Sequence, residues 1–258
     1  MLKHQIFNTL EKHLQYVVKE KGIPQERIVG VFLYGSQNYG TDTPLSDVDT
    51  KVIIVPSVEE IAFNKDFFSE EISLEDGSHI DIKDIRAFRE NLLKQHINYM
   101  EVLFTEYSIV NPHYADLFRK GFLTNREDIA RIDRKRAILA AVGQALHTLS
   151  QGETDNKKFY NAKRLLSFAR RYYMNESYLD CIKIEKNSPK YIELMDIRMG
   201  KTKISNEDAV ALKEDLEEMK ELVLRGQTSI NENYKKLLDD ATLNILKQSL
   251  YFDFFKKF

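Results

Sequence analysis

The sequence has a single cysteine, Cys181, so no disulfide can form within the chain, and a reducing cytoplasmic setting is the expectation. No histidine lies near Cys181 in sequence, which makes it a structural or surface thiol rather than a nucleophile. Tryptophan is absent, although 13 Tyr and 15 Phe supply aromatic bulk for a core. No apolar run approaches the roughly 20 residues that a membrane-spanning helix needs. The start, Met-Leu-Lys-His-Gln, lacks the apolar stretch of a secretory leader. A net charge of −2 excludes the indiscriminate polyanion attraction of a strongly basic chain, leaving only a local basic face open. The six histidines form no His-x-x-x-His pair and have no cysteine companions, which argues against zinc. Gly200-Lys201-Thr202 ends like a phosphate-binding P-loop, but that motif needs a glycine where Met195 stands. Internal repeats and low-complexity linkers are also missing.

What is present is an ordinary globular composition, 43% hydrophobic and 30% charged, able to bury a sizeable core. Ile6, Leu10, Leu14 and Val17 recur at helical spacing over residues 5–20, and Gly22 and Pro24 end that pattern. Apolar strands are expected at 27–34 and 47–55, with a Gly-Ser turn and a short helix between them. Pro56-Ser57 closes the second strand, and 59–68 reads as a short helix. Asp76-Gly77, between Glu70–Glu75 and Ser78–Ile85, signals a two-residue hairpin turn. Beyond about residue 86 the pattern is helical. One helix is expected over 126–151, another over 157–174, and a third over 206–225 with Ser205 as N-cap and Gly226 as stop. The fold class is therefore α+β: a small mixed head, residues 1–110, followed by a helical region, residues 111–258.

The chemistry concentrates in Val29-Gly-Val-Phe-Leu-Tyr-Gly-Ser-Gln-Asn-Tyr-Gly40 and in Asp47-Val-Asp-Thr-Lys-Val-Ile-Ile-Val55. Alternate strand residues share a face, so Asp47 and Asp49 point the same way while Val48 turns into the core. Two carboxylates side by side repel unless a cation lies between them, and hard oxygen ligands suit Mg²⁺ or Mn²⁺. Gly35 and Ser36 stand at a strand-to-helix turn whose backbone N–H groups can face a phosphate, with the Ser36 hydroxyl as a further donor. A residue with a Cβ at position 35 would obstruct that approach. Ile80-Asp81-Ile82 offers a third carboxylate inside an apolar strand. Asp84 competes with Asp81 for that role but falls on the opposite face. On the helix 157–174, Lys157, Asn161, Arg164 and Arg171 form one polar stripe opposite Phe159, Ala162, Leu166, Ala169 and Tyr173. That stripe can meet a triphosphate or an RNA backbone; a solvated face is the plain alternative.

Gly-Ser, ten residues, then Asp-x-Asp in an apolar strand, followed by Ile80-Asp81-Ile82, resembles the signature of the polymerase-β-type nucleotidyltransferase superfamily. This likeness spans about residues 27–86. The stretch Phe88 to Glu106, with Asn98-Tyr-Met-Glu-Val-Leu103, is most similar to the RNA-repair-pathway polymerase-β-like family, a weaker likeness reaching about residue 175. The resemblance implies a polymerase-β-like head with a mixed sheet and flanking helices. It also implies metal-dependent transfer of NMP from an NTP, with ATP as the expected donor. Asp47, Asp49 and Asp81 would be the metal ligands and catalytic residues, Asp81 also taking the acceptor's proton. Gly35, Ser36, Lys158, Asn161 and Arg164 would contact the nucleotide, Asn161 standing where the resemblance would put a basic or histidine residue. An RNA end is the expected acceptor. A small-molecule or protein hydroxyl is the second reading, and an NTP sensor without turnover is the non-enzyme one.

Overall fold

Helix α1 (Lys3–Glu20) buries the stripe Ile6, Leu10, Leu14 and Val17 that its spacing dictates. The computed structural model describes residues 3–43, 46–227 and 230–255, without the side chains of 253–255. Met1-Leu2, part of the leader reading, and Pro44-Leu45, within the Gly-Ser to Asp-x-Asp spacing, lie outside the described residues.

After α1 the head runs β1 (Ile28–Tyr34), α2 (Ser36–Tyr39), β2 (Asp49–Ile54), α3 (Val58–Ala62), β3 (Ser69–Ser73), β4 (His79–Asp84), α4 (Ile85–Leu93), α5 (Ile97–Met100) and β5 (Ser108–Val110). The five strands form one mixed sheet in the order β3-β4-β2-β1-β5. All neighbours are antiparallel except β2 and β4, which run parallel with Thr50 beside Ile80 and Lys51 beside Asp81. The chain is then helical: α6 (Pro112–Phe118), a π turn (Arg119–Leu123), α7 (Arg126–Ala130), α8 (Arg134–Ser150), α9 (Asn156–Tyr173), α10 (Tyr178–Ile182), α11 (Pro189–Arg198), α12 (Asn206–Leu224) and α13 (Glu232–Phe255).

The two faces of the sheet belong to two apolar clusters. One face carries Ile28, Val31, Leu33, Val52, Ile54, Ile80 and Ile82 and packs on α1. The other carries Val29, Phe32, Ile53 and Val55 and continues without interruption into residues of α4, α6, α8, α9, α12 and α13. Each fully buried Leu, Ile or Phe is worth about 1.5–3 kcal/mol, so this second cluster is the main store of stability. The expected boundary at residue 110 coincides with the end of β5, yet the apolar core crosses it.

Three expectations change in detail. The helix expected over 59–68 is shorter: α3 ends at Ala62, with Phe63 as its C-cap. The Asp76-Gly77 turn is a three-residue loop: Gly77 N–H donates to Leu74 O at 3.0 Å and Leu74 N–H to Ser78 O at 2.9 Å. Gly77 takes the left-handed position, φ +85°, that such a loop demands. Asp76 Oδ1 fixes it by accepting from Ser78 N–H at 3.0 Å. The helix expected over 126–151 is two helices, because Asp133 Oδ1 accepts from Arg136 N–H at 2.9 Å and caps α8. The helix α12 keeps its expected cap, Ser205, in a reciprocal box with Asp208.

His13 is the polar exception in the α1 stripe. It is 2% exposed, with Nδ1 2.8 Å from Thr50 Oγ1 and Nε2 3.1 Å from Ser78 Oγ. Hydroxyls both donate and accept, so they satisfy a neutral ring, and burial lowers its pKa to about 4.

Candidate active site

The helix-facing side of the sheet carries the acids. Asp49, Lys51 and Ile53 alternate with Thr50, Val52 and Ile54 along β2, so Asp49 emerges on the face opposite α1. Asp47 lies just before the strand, anchored through its carbonyl, which accepts from Gln37 Nε2 at 2.9 Å. Val48 between them is buried in the α1 cluster, as its parity requires. The parallel register sets position 79 beside Asp49. His79 N–H donates to Asp49 Oδ1 at 3.1 Å, and His79 Nδ1 lies 3.0 Å from the same oxygen. Ligand atoms of Asp47, Asp49 and His79 all fall within 4.8 Å of one another, the spacing a single ion needs. Burial, and next the charge of Asp47, push the Asp49 carboxyl above its ordinary pKa, only partly offset by His79. Both causes make the ionised Asp49 carboxylate costly, and a bound cation would offset that cost.

Asp81, expected to complete the acidic site, lies outside this group. It sits two residues further along, beside Lys51, and is 3% exposed. Lys51 Nζ bonds its Oδ2 at 2.6 Å, and Lys83 Nζ lies 2.9 Å from Oδ1. Tyr99 OH adds a bond at 3.3 Å. The Lys51 ammonium is itself sandwiched between the rings of Tyr34 and Tyr99, 4.2 and 4.1 Å from their centroids. Asp84 has a separate duty: it caps α4 through Arg86 N–H and pairs with the Arg86 guanidinium at 2.6 Å.

Across from the acids stands α9. A cleft of about 270 Å³ is lined on the sheet side by Tyr34, Gly35, Ser36, Asp47, Asp49 and His79, and on the helical side by Lys157, Tyr160, Asn161 and Arg164. The face of α9 toward the acids is therefore the polar stripe of the sequence, Arg171 excepted. Arg164 is 7% exposed, its guanidinium carbon 3.8 Å from the centre of the Tyr39 ring. Its Nε has no hydrogen-bond partner. A buried cation in the wall opposite two carboxylates suits a ligand that carries negative charge.

Residues 10–109 match the model of the nucleotidyltransferase domain. Those residues form a nucleotidyltransferase domain. The match covers less than half of the chain, and among curated proteins no sequence matches it. The domain supplies the whole sheet face of the cleft, and an enzyme of the nucleotidyltransferase class is what it supports.

Within the nucleotidyltransferase domain, Gly35 has φ +93° and ψ −155°. The left-handed φ, not crowding, calls for glycine there, because an added Cβ would meet only Asp49 Oδ2, at an ordinary contact distance of 3.7 Å. Its N–H is already engaged, donating to Glu101 Oε2 at 3.1 Å. Glu101 is the residue that sequence reasoning passed over. It is fully buried and also accepts from Tyr39 OH at 2.8 Å, so one carboxylate ties both ends of the Gly-Ser turn. A charged residue inside the apolar run Met100-Glu-Val-Leu-Phe104 was the available signal. The other departure is Lys158, whose Nζ bonds Gln151 O at 2.6 Å and which does not line the cleft. Lys157, one residue earlier, does.

Burial raises the Glu101 pKa to about 7 despite the Tyr39 and Gly35 bonds. Folded protein thus holds this proton more tightly than unfolded chain does, and stability from Glu101 falls as pH rises from 4.5 to 7. His13 acts oppositely: its lowered pKa makes stability fall as pH drops from 6.5 to 4. Each shift is worth roughly 3 kcal/mol, so the two nearly cancel. Urea midpoints measured from pH 4 to 7 should show E101Q losing stability steeply toward acid and H13N losing it toward neutral pH. A flat profile for E101Q would contradict the assignment.

Proposed function

We propose that the protein transfers NMP from an NTP, ATP first, to an acceptor hydroxyl on an RNA end, releasing pyrophosphate. The observation that carries the reading is a single cleft with Asp47, Asp49 and His79 on one wall and Lys157, Asn161 and Arg164 on the other. The donor set fits a divalent ion: two carboxylates and an imidazole in mutual reach, with an Asp49 carboxylate that is costly to ionise. Asp47 and Asp49, with His79, would hold an Mg²⁺- or Mn²⁺-type ion; Asp81 is assigned instead to the support beneath them. Such an ion, when bound, supplies charge neutralisation for an in-line displacement at phosphorus. The protein's own part is positioning. Ser36 and Lys157 stand where a triphosphate would meet the acids, and Arg164 supplies a buried positive charge that water screens little. Residues 1–110 act as the catalytic head, and 111–258 contribute the opposing wall.

A cytoplasmic setting belongs to this reading. It is supported by a lone, buried Cys181 whose thiol burial pushes up to about 12. Among the described residues no helix is long and apolar enough to cross a membrane.

One observation favours the second acceptor. Four basic residues beyond the cleft are paired with acids: Arg170 with Asp215, Arg171 with Glu176, Lys183 with Glu106, Lys190 with Glu193. A long phosphate track would have to break these pairs, whereas a small-molecule or protein hydroxyl would not. The test is to incubate the protein with each α-labelled NTP, Mg²⁺ or Mn²⁺, and cell lysate, then treat the products with ribonuclease or protease. Label released by ribonuclease supports the RNA end. Label released by protease, or on a small molecule, replaces it. Metal-dependent NTP binding without any label would favour a sensor.

A further inference from the structure

Three side chains could share one ion, and one of them would offer a nitrogen. The backbone makes this so. In the β2/β4 register the position alongside Asp49 is 79, while Asp81 is the partner of Lys51. His79 is held there by its own N–H, which donates to Asp49 Oδ1, and its ring Nδ1 lies 3.0 Å from that oxygen. The carboxylate that would make an all-oxygen set, Asp81, is 5% exposed at its side chain and clamped by Lys51 and Lys83. Freeing it would strand the buried Lys51 ammonium and leave Lys83 with only Ser69 Oγ at 2.6 Å and Glu71 at 3.9 Å, which is far more costly than using the half-exposed imidazole already at the site.

We propose that His79 is an inner-sphere ligand that makes this centre selective for a first-row transition dication, Mn²⁺ in particular, over Mg²⁺. The inference rests on the metal-site reading above. Mg²⁺ demands near-ideal octahedral oxygen coordination and gains little from imidazole; transition dications accept mixed oxygen and nitrogen donors. With its proton on Nε2 the ring offers Nδ1, and the Asp49–His79 hydrogen bond gives way to shared ligation. Asp47 and Asp49 set the affinity, and His79 sets the choice of ion.

The experiment uses the full-length protein with metal alone and no nucleotide. Mn²⁺ and Mg²⁺ titrations by calorimetry are paired with pulsed EPR of the Mn²⁺-loaded protein, for wild type, H79A, H79D and D49N, with circular dichroism to check folding. Wild type should prefer Mn²⁺ and show ¹⁴N coupling from one imidazole. H79A should weaken Mn²⁺ binding about tenfold to a hundredfold, at least the loss seen when groups supporting a ligand are removed, and weaken Mg²⁺ far less. H79D should lose the ¹⁴N signal and narrow the Mn²⁺/Mg²⁺ ratio. If D49N abolishes Mn²⁺ binding while H79A and H79D keep the wild-type ratio, the role of His79 is overturned and the metal site stands. If D49N binds Mn²⁺ as wild type does, the metal site itself is wrong and both readings fall.

Discussion

Replacing Asp49 or Asp47 by alanine is expected to lower nucleotidyl transfer roughly a thousandfold, as loss of about 4 kcal/mol of metal-mediated stabilisation implies. The expectation for stability is the unusual half. Burial and the neighbouring charge of Asp47 already disfavour the ionised Asp49 carboxylate. Removing either acid relieves that repulsion, so the melting temperature should hold steady or rise. D49N is the stricter variant, because it keeps an acceptor for the His79 N–H. The double variant should be little worse than either single one, since both acids serve one ion. Initial rates with saturating NTP and thermal melts of the same preparations check both halves. A variant that keeps full activity, or one that is inactive only because it is unfolded, would remove the site assignment.

Asp81→Asn should do the reverse and act first on the fold. Lys51 and Lys83, with 4% and 9% of their side chains exposed, would lose the carboxylate between them and repel each other. Breaking a buried pair in this way costs about 3–5 kcal/mol. For a chain of this size that lowers the melting temperature by about 10 °C. K51M should be milder, because Asp81 keeps Lys83 and Tyr99. Chemical denaturation ranks the two. An Asp81→Asn protein as stable as wild type but inactive would return Asp81 to the catalytic set and refute the structural role given to it here.

The contrast between Asp49 and Asp81 also marks what was legible in the sequence. Strand parity places Asp47 and Asp49 on one face and Val48 in the core, and it separates Asp84 from Asp81. Parity cannot say which residue of β4 lies beside Asp49. His79 and Asp81 share a face, and only the long-range register of a parallel pair chooses between them. Glu101 was hidden for a similar reason: its partners, Gly35 and Tyr39, are more than sixty residues away. On α9 the residue-level pattern proved the better guide. The stripe Lys157, Asn161, Arg164 follows helical geometry and lines the cleft, while Lys158, taken from family likeness, is turned toward Gln151. Local signals such as the Ser205 cap and the α1 stripe were readable because everything they need lies within one helix turn or one helix face. The Asp133 cap was equally local but was masked by apolar residues that keep helical spacing across it.

The central claim is that chemistry occurs at the α-phosphorus of an NTP held between the sheet acids and α9. The most direct measurement supplies the same NTP labelled at either the α- or the γ-phosphate and follows where each label goes in wild type and D49N. The proposed transfer predicts α-label on the acceptor, γ-label in pyrophosphate, and neither event in D49N. Release of γ-label as inorganic phosphate, or its transfer to the acceptor, would mean a phosphohydrolase or a kinase and would contradict the account.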